Sequence, residues 1–324
     1  MKTSSLLCCL LSFFLLACEE EFFTPQVNVD PEFQPYLDTY IAEATKRRVE
    51  VPIEEKGLTL VFDDTPSGAN GVCYGVREGI TSEHRIHISQ SNWKDMSEAY
   101  REFLIFHEMG HCYEYRRHTS DTLSNRDWKS MMRGRSPIGF GYRSINYTGT
   151  RREYYVDELF DPDVAPPDWA SWTRDYNTIA ETEKTLLAER KNPTTFSRSF
   201  NWADNYEIEI EFPVTDDLLR SVVGFAWGNF SEEESLRFAL STFNLFISDN
   251  VTGYGNLHAF ESYNGLRLGQ SGKLTVQKIG DYFWYFVNEK FVYWTDVVPL
   301  VTQRVMLVNL GGTIDRITVK NLPN

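Results

Sequence analysis

Two histidines four residues apart, with a glutamate beside the first, stand in the run His107-Glu108-Met109-Gly110-His111. That spacing puts His107 and His111 on one face of a helix, a turn apart, where both can reach a single Zn²⁺. Glu108 is then set to take a proton from a water that the metal activates. A third histidine, His118, follows His111 by seven residues. The chemistry these residue types support is zinc-assisted hydrolysis, with a peptide bond as the leading substrate. Two histidines on an ordinary surface or core helix are the plainer alternative, and the surrounding helix-compatible stretch in an exported chain weighs against it.

The third ligand depends on the path of the chain. Seven helical residues span about 10 Å along the axis, whereas nitrogens bound to one zinc at about 2 Å lie only a few Å apart. His118 reaches the metal only if the helix stops around residues 115–117 and the chain turns back. Thr119-Ser120-Asp121 suits such a loop. Glu158, 47 residues beyond His111, is the rival ligand in a His₂Glu site, although Asp157-Glu158 also reads as a solvated helix face. His118 is preferred. Met132 is either a core methionine or a hydrophobic floor beneath the imidazoles. His84 and His87 read as structural or exposed. Tyr142, Tyr147, Tyr154 and Tyr155 could each offer a hydrogen bond to an oxyanion, and none is singled out.

The helix carrying the motif begins at Ser97, a suitable N-cap, with Glu98 just inside it. A helix over residues 31–50 precedes it, with Phe33, Tyr36, Leu37, Tyr40, Ile41 and Ala44 on one stripe. Strands are expected at Leu58–Asp63, Val72–Val76 and Arg85–Ser89, and a further helix at Arg152–Phe160. The prolines of Asp161–Pro167 mark a boundary. Residues 166–195 read as a linker with a short helix over Thr178–Lys191. Beyond residue 196 nine short strand-like runs follow, separated mostly by Gly, Asn and Asp, as in an all-β sandwich.

Composition supplies a core and excludes one class of partner. The chain has 324 residues, 42% apolar and 15% aromatic, enough for two domains. A formal charge of −14 with only short Lys/Arg runs argues against nucleic acid. Lys2 followed by the apolar run Leu6–Leu16 reads as a secretory signal, too short for a transmembrane anchor. Cys8 and Cys9 leave with the signal, so Cys73 and Cys112 remain to the fold besides Cys18. In an exported protein that pair reads as a disulfide tying the motif helix to the preceding sheet, with two buried thiols as the alternative.

Leu15-Leu16-Ala17-Cys18 resembles the bacterial lipobox. The resemblance implies cleavage before Cys18 and lipidation of that cysteine, an ordinary signal peptide being the alternative. Glu19-Glu20-Glu21 is similar to the surface-export signal of some Gram-negative lipoproteins, which implies an outer-membrane, surface-exposed location. The histidine run, with Ser130-Met131-Met132 downstream, resembles the metzincin clan of zinc endopeptidases over roughly residues 31–160. That clan carries HExxHxxGxxH, a helix broken at the glycine, and a Ser-x-Met turn. Here Glu114 occupies the glycine position and His118 comes one residue late, so the break must be built differently. The resemblance implies His107, His111 and His118 as ligands, Glu108 as general base and Met132 as the methionine turn. It looks more like a divergent group of exported bacterial lipoproteins with HELGHC, a late histidine and Ser-Ile-Met.

Residues 196–324 resemble a concanavalin-like jelly roll, on segments such as Phe200–Ile210 and Gly224–Gly228. Such domains often bind sugars, and exposed Trp or Tyr rings would stack on them, although core packing is the default for these aromatics. The expectation is an α+β metzincin-like zinc peptidase domain over residues 31–165, after a signal at 1–17 and a tether at 18–30. A jelly roll over 196–324 completes it. Its partners would be a protein, peptide or glycoprotein substrate, a membrane reached by the lipid, and carbohydrate. The rival is a binding lipoprotein whose zinc site is structural or inactive.

Overall fold

The computed structural model describes residues 25–66, 68–74, 84–134, 145–180, 183–191, 197–199, 202–215, 222–228, 235–241, 244–251, 255–260, 265–300, 304–310 and 313–323. The signal segment, Cys18 and Tyr142 lie outside them. In the N-terminal half, chain order runs β1 (Val27–Val29), α1 (Gln34–Lys46), α2 (Ile53–Lys56), β2 (Leu58–Phe62), β3 (Gly71–Tyr74) and β4 (His84–Ile88). Then come α3 (Gln90–Trp93), α4 (Glu98–Cys112) and α5 (Thr150–Phe160). Helix α1 is shorter than the expected span of residues 31–50. Pro35 lies in its first turn, and Arg48 takes a left-handed φ of 62° just past its end. It buries Tyr36, Leu37, Tyr40 and Ala44.

The sheet has the order β1-β2-β4-β3, parallel except for β3, which runs antiparallel to β4 at the edge. Val27–Val29 falls within the tether expected at residues 18–30. Instead it pairs with Leu58–Leu60, because the alternating Val-Asn-Val run can extend a parallel ladder. Helix α4 starts where Ser97 Oγ accepts the Tyr100 amide at 3.4 Å. It is buried from Phe103 to Gly110 and again at Cys112. Cys112 at its end is bonded to Cys73 on β3, S–S 2.07 Å. The helix is thereby fastened to the sheet edge.

The C-terminal half is a β-sandwich of jelly-roll type. Its strands are β5 (Thr185–Lys191), β6 (Ser197–Ser199), β7 (Asn205–Pro213), β8 (Val222–Gly228), β9 (Ser235–Ser241) and β10 (Asn244–Asp249). They continue as β11 (Gly255–Phe260), β12 (Ser271–Ile279), β13 (Tyr282–Val287), β14 (Lys290–Asp296), β15 (Arg304–Leu310) and β16 (Ile314–Leu322). One sheet runs β11-β10-β9-β8-β15-β6, the other β14-β13-β12-β7-β16-β5. Ring contacts join them, with Trp227 5.6 Å from Phe283 and Phe238 5.1 Å from Tyr285.

The short helix expected over Thr178–Lys191 is a correction. Asp168–Ser171 forms one 3₁₀ turn, 172–180 is irregular, and Thr185–Lys191 is strand β5, paired with β16. Leu-Leu-Ala-Glu-Arg favours helix locally, but the open edge of a sheet overrides that weak preference. The sandwich therefore begins before residue 196. The segment leading into β5 lies on the outer face of the second sheet. There Trp172 meets Trp294 at 4.9 Å and Tyr176 meets Phe286 at 5.3 Å. Lys184 pairs with the buried Glu209 at 2.6 Å.

One apolar core runs through both halves, from Phe33 to Val319. At the joint, Arg151 on α5 is fully buried and bonds Asp127 at 3.1 Å and the Trp294 carbonyl at 3.0 Å. Its guanidinium lies 3.9 Å from the Trp294 ring centroid, and the Tyr293 hydroxyl donates to Asp127 at 2.6 Å. Among the described residues no helix is long and apolar enough to cross a membrane.

Candidate metal centre

The three histidines meet. Their Nε2 atoms are 3.2 Å apart for His107 and His111, 3.3 Å for His107 and His118, and 3.0 Å for His111 and His118. Three nitrogens on a tetrahedral zinc, at Zn–N of about 2.0–2.1 Å, would be separated by about 3.3 Å. The protonation pattern points the same way. His107 Nδ1 donates to the Met131 carbonyl at 2.8 Å, and His111 Nδ1 donates to the Arg116 carbonyl at 2.6 Å. A neutral imidazole with its proton on Nδ1 presents a lone pair at Nε2. Two such lone pairs facing each other repel unless a cation lies between them, so this donor set fits zinc.

The local fields favour the neutral form of the rings. Burial, reinforced by the neighbouring His111, brings the His107 pKa down to about 3, against the Met131 hydrogen bond. His111 is lowered by burial and by His118, and His118 by burial. Neutral imidazole is the form that ligates metal. His107 is buried, His111 partly buried and His118 exposed, so one side of the cluster faces solvent. Glu108 is buried next to His107, and burial pushes its carboxyl up to about 8 while a hydrogen bond from the Cys73 backbone opposes the rise. Gly71 on β3 lies against it: a Cβ there would stand 2.9 Å from Glu108 Oε1.

The chain does turn back before His118. Helix α4 ends at Cys112, and Tyr115 adopts a left-handed φ of 52°. The Arg116 amide then donates to the Gly110 carbonyl at 3.0 Å. Glu114, at the position expected to hold glycine, comes just before that left-handed residue and accepts from the Tyr40 hydroxyl at 3.1 Å. Both the left-handed residue and the third histidine are thus displaced by one position. Lys56 holds the Tyr115 hydroxyl at 2.9 Å, securing a conformation that a tyrosine adopts at a cost of about 1–2 kcal/mol. After His118 the Thr119 amide donates to the Met132 carbonyl at 2.8 Å.

Met132 is fully buried, and its Sδ would stand 2.8 Å from a Cβ added at Gly110, so it packs directly beneath the motif helix. Glu158 is brought to no ligand position. It is 2% exposed, which overturns the reading of a solvated helix face, and its carboxylate is engaged by Ser130 and Arg116. The acidic pair divides because Asp157 stays accessible with Arg47 while Glu158 turns inward. Tyr147, Tyr154 and Tyr155 donate to Glu102, the Lys129 carbonyl and the Trp128 carbonyl. His84 stacks on Tyr113 at 4.7 Å, and His87 lies 3.3 Å from Asp63. Sequence reasoning placed the break at residues 115–117 but missed the Arg116 and Met131 carbonyls and Gly134, whose absent side chain makes room for His118. Only the glycine next to a Ser-Met-Met run offered a signal.

No family model and no curated protein matches the chain. Among solved structures it is similar to sheep galectin-11 at 13% identity and TM-score 0.33, over 40% of this chain and 99% of that one. It is similar to Caenorhabditis elegans galectin LEC-6 at 12% identity and TM-score 0.32, over 44% of this chain and 100% of that one. It is also similar to the CBM40 of a Ruminococcus gnavus sialidase bound to α2,3 sialyllactose, at 14% identity and TM-score 0.32, over 44% and 92% respectively.

Proposed function

We propose that the chain is a zinc-dependent hydrolase that cleaves peptide bonds. The observation that carries this reading is the convergence of three Nε2 atoms beside a buried glutamate. Zinc held there would act as a Lewis acid on the scissile carbonyl and lower the pKa of water. His107, His111 and His118 would hold the metal, the first two oriented by the Met131 and Arg116 carbonyls. Glu108 takes the proton of the attacking water and returns it to the leaving amine. A purely structural metal site has no use for that carboxylate.

A peptide substrate is favoured by β3. Among the described residues this edge strand pairs with β4 alone, and Gly71 brings its backbone against Glu108. An extended peptide added along β3 would pass beside the base. In the same reading, Cys18 carries the lipid that keeps the enzyme at the envelope.

Metal content after purification, together with cleavage of a casein-like substrate, tests the proposal. Glu108→Ala should retain zinc and abolish cleavage. Zinc retention with no cleavage across a broad peptide library would overturn it.

A second reading has the sandwich capture glycan, or a protein that bears it, with the histidines holding a structural metal. Trp172, Tyr282 and Phe291 favour it, since they are partly exposed rings on one face of the second sheet. Such rings stack on sugars. Glycan-array binding that is lost in Trp172→Ala and Tyr282→Ala would support this reading.

A further inference from the structure

His107 and His111 are each oriented by a backbone carbonyl, and the two carbonyls come from segments 15 residues apart, at Arg116 and Met131. Neither segment is helix or strand. Something must fix both, since a carbonyl that drifts cannot hold an imidazole in the ligating tautomer and direction. One side chain reaches both. Glu158 Oε2 accepts from Ser130 Oγ at 2.5 Å, and Ser130 Oγ in turn accepts the Met132 amide at 3.0 Å. That pair brackets Met131. Glu158 Oε1 pairs with Arg116 Nη2, while Arg116 Nη1 donates to the Glu158 and Leu159 carbonyls at 2.6 and 2.8 Å.

We propose that Glu158 is the positioning residue of the metal centre, a single buried carboxylate on α5 that sets the carbonyls aimed at His107 and His111. The assignment rests on the zinc reading above. It also accounts for how a turn without the expected glycine is held. Arg116 follows the left-handed Tyr115 directly, so anchoring its guanidinium on α5 fixes the return of the chain toward His118. A carboxylate suits the task because it accepts on two oxygens at once, one for a hydroxyl and one for a guanidinium. Glutamine would offer Arg116 or Ser130 an amide donor in place of one acceptor. Aspartate would fall short of both.

The test uses the whole mature chain and reads the metal rather than turnover. Zinc affinity is measured by competition with a chromophoric chelator, and the geometry by the visible absorption of Co²⁺ in place of zinc. Glu158→Gln should weaken zinc about 10- to 100-fold and alter the Co²⁺ bands. Ser130→Ala, which removes only the arm to Met131 and leaves the Arg116 pair intact, should give a smaller loss in the same direction. It serves as the second variant if Glu158→Gln does not fold. A merely structural Glu158 would lower the melting temperature of both variants while leaving zinc affinity and the Co²⁺ spectrum as in the wild type. That result overturns the assignment alone. A wild type that takes up neither metal overturns the zinc reading and the assignment together.

Discussion

His118 and Gly134 are in a contact that only glycine permits: a Cβ on Gly134 would stand 2.5 Å from His118 Nδ1. The atom it would meet belongs to a ring that must keep its place for the cluster to close. Gly134→Ala should therefore displace His118 and weaken zinc binding by at least about tenfold, with little change in apo-protein melting. Chelator competition and calorimetry on the same samples check both parts.

The left-handed Tyr115 makes a second, sharper prediction. Asn tolerates that conformation and a β-branched residue does not. Tyr115→Val should lose about 1–3 kcal/mol of stability and weaken zinc uptake, while Tyr115→Asn retains both far better. Urea unfolding of the two variants, with metal titration, distinguishes them.

The Cys73–Cys112 bond closes a span of 39 residues that includes β4 and the whole of α4. On the chain-entropy account a loop of that size stabilises by about 4 kcal/mol. Cys73→Ser, which leaves the neighbour of His111 untouched, should lower the urea midpoint accordingly. Unchanged midpoints with and without reductant would show that the bond contributes nothing.

Acid stability should depend on Glu43. Burial raises its carboxyl pKa, but hydrogen bonds from Arg152 and Arg47 outweigh this and hold it below the ordinary range. A lowered folded-state pKa gives stability that is present above the unfolded value of about 4.3 and lost as pH falls through the folded one. Glu43→Gln should cost about 1–2 kcal/mol near neutrality, and its deficit should shrink as pH falls below about 4. Unfolding free energies measured from pH 3 to 7 give the curve.

Arg151 should hold the halves together. Arg151→Met leaves Asp127 buried without its cation, a loss of about 3–5 kcal/mol. Adding Asp127→Asn should recover part of it. Scanning calorimetry should show one transition in the wild type, because a single core spans both halves. Two separate transitions would contradict that joint.

How far these features were legible follows from how local their causes are. Ser97 as cap and the apolar positions of α4 lie within one helix, so its start and its histidine face could be read directly. The return of His118 could only be stated as a requirement. It depends on Tyr115, on Lys56 from another helix and on the room left by Gly134, none of which is periodic. Asp157 and Glu158 are chemically alike and adjacent, so composition could not tell which of them faces inward. Strand β5 was hidden by helix-favouring residues whose fate is decided by pairing with β16, over 120 residues later. The alternating strands of the sandwich were plain, since their period lies in the strand itself.

The contact between Gly71 and Glu108 also says how such an enzyme would choose its targets. A peptide aligned along β3 would lie about 4.8 Å from that strand, with its side chains pointing alternately to opposite faces. Residues of one parity would face the histidine cluster and those of the other would face away. Selectivity in the peptidase reading would then follow every second position of the substrate, and peptides shuffled only at the intervening positions would be cut alike.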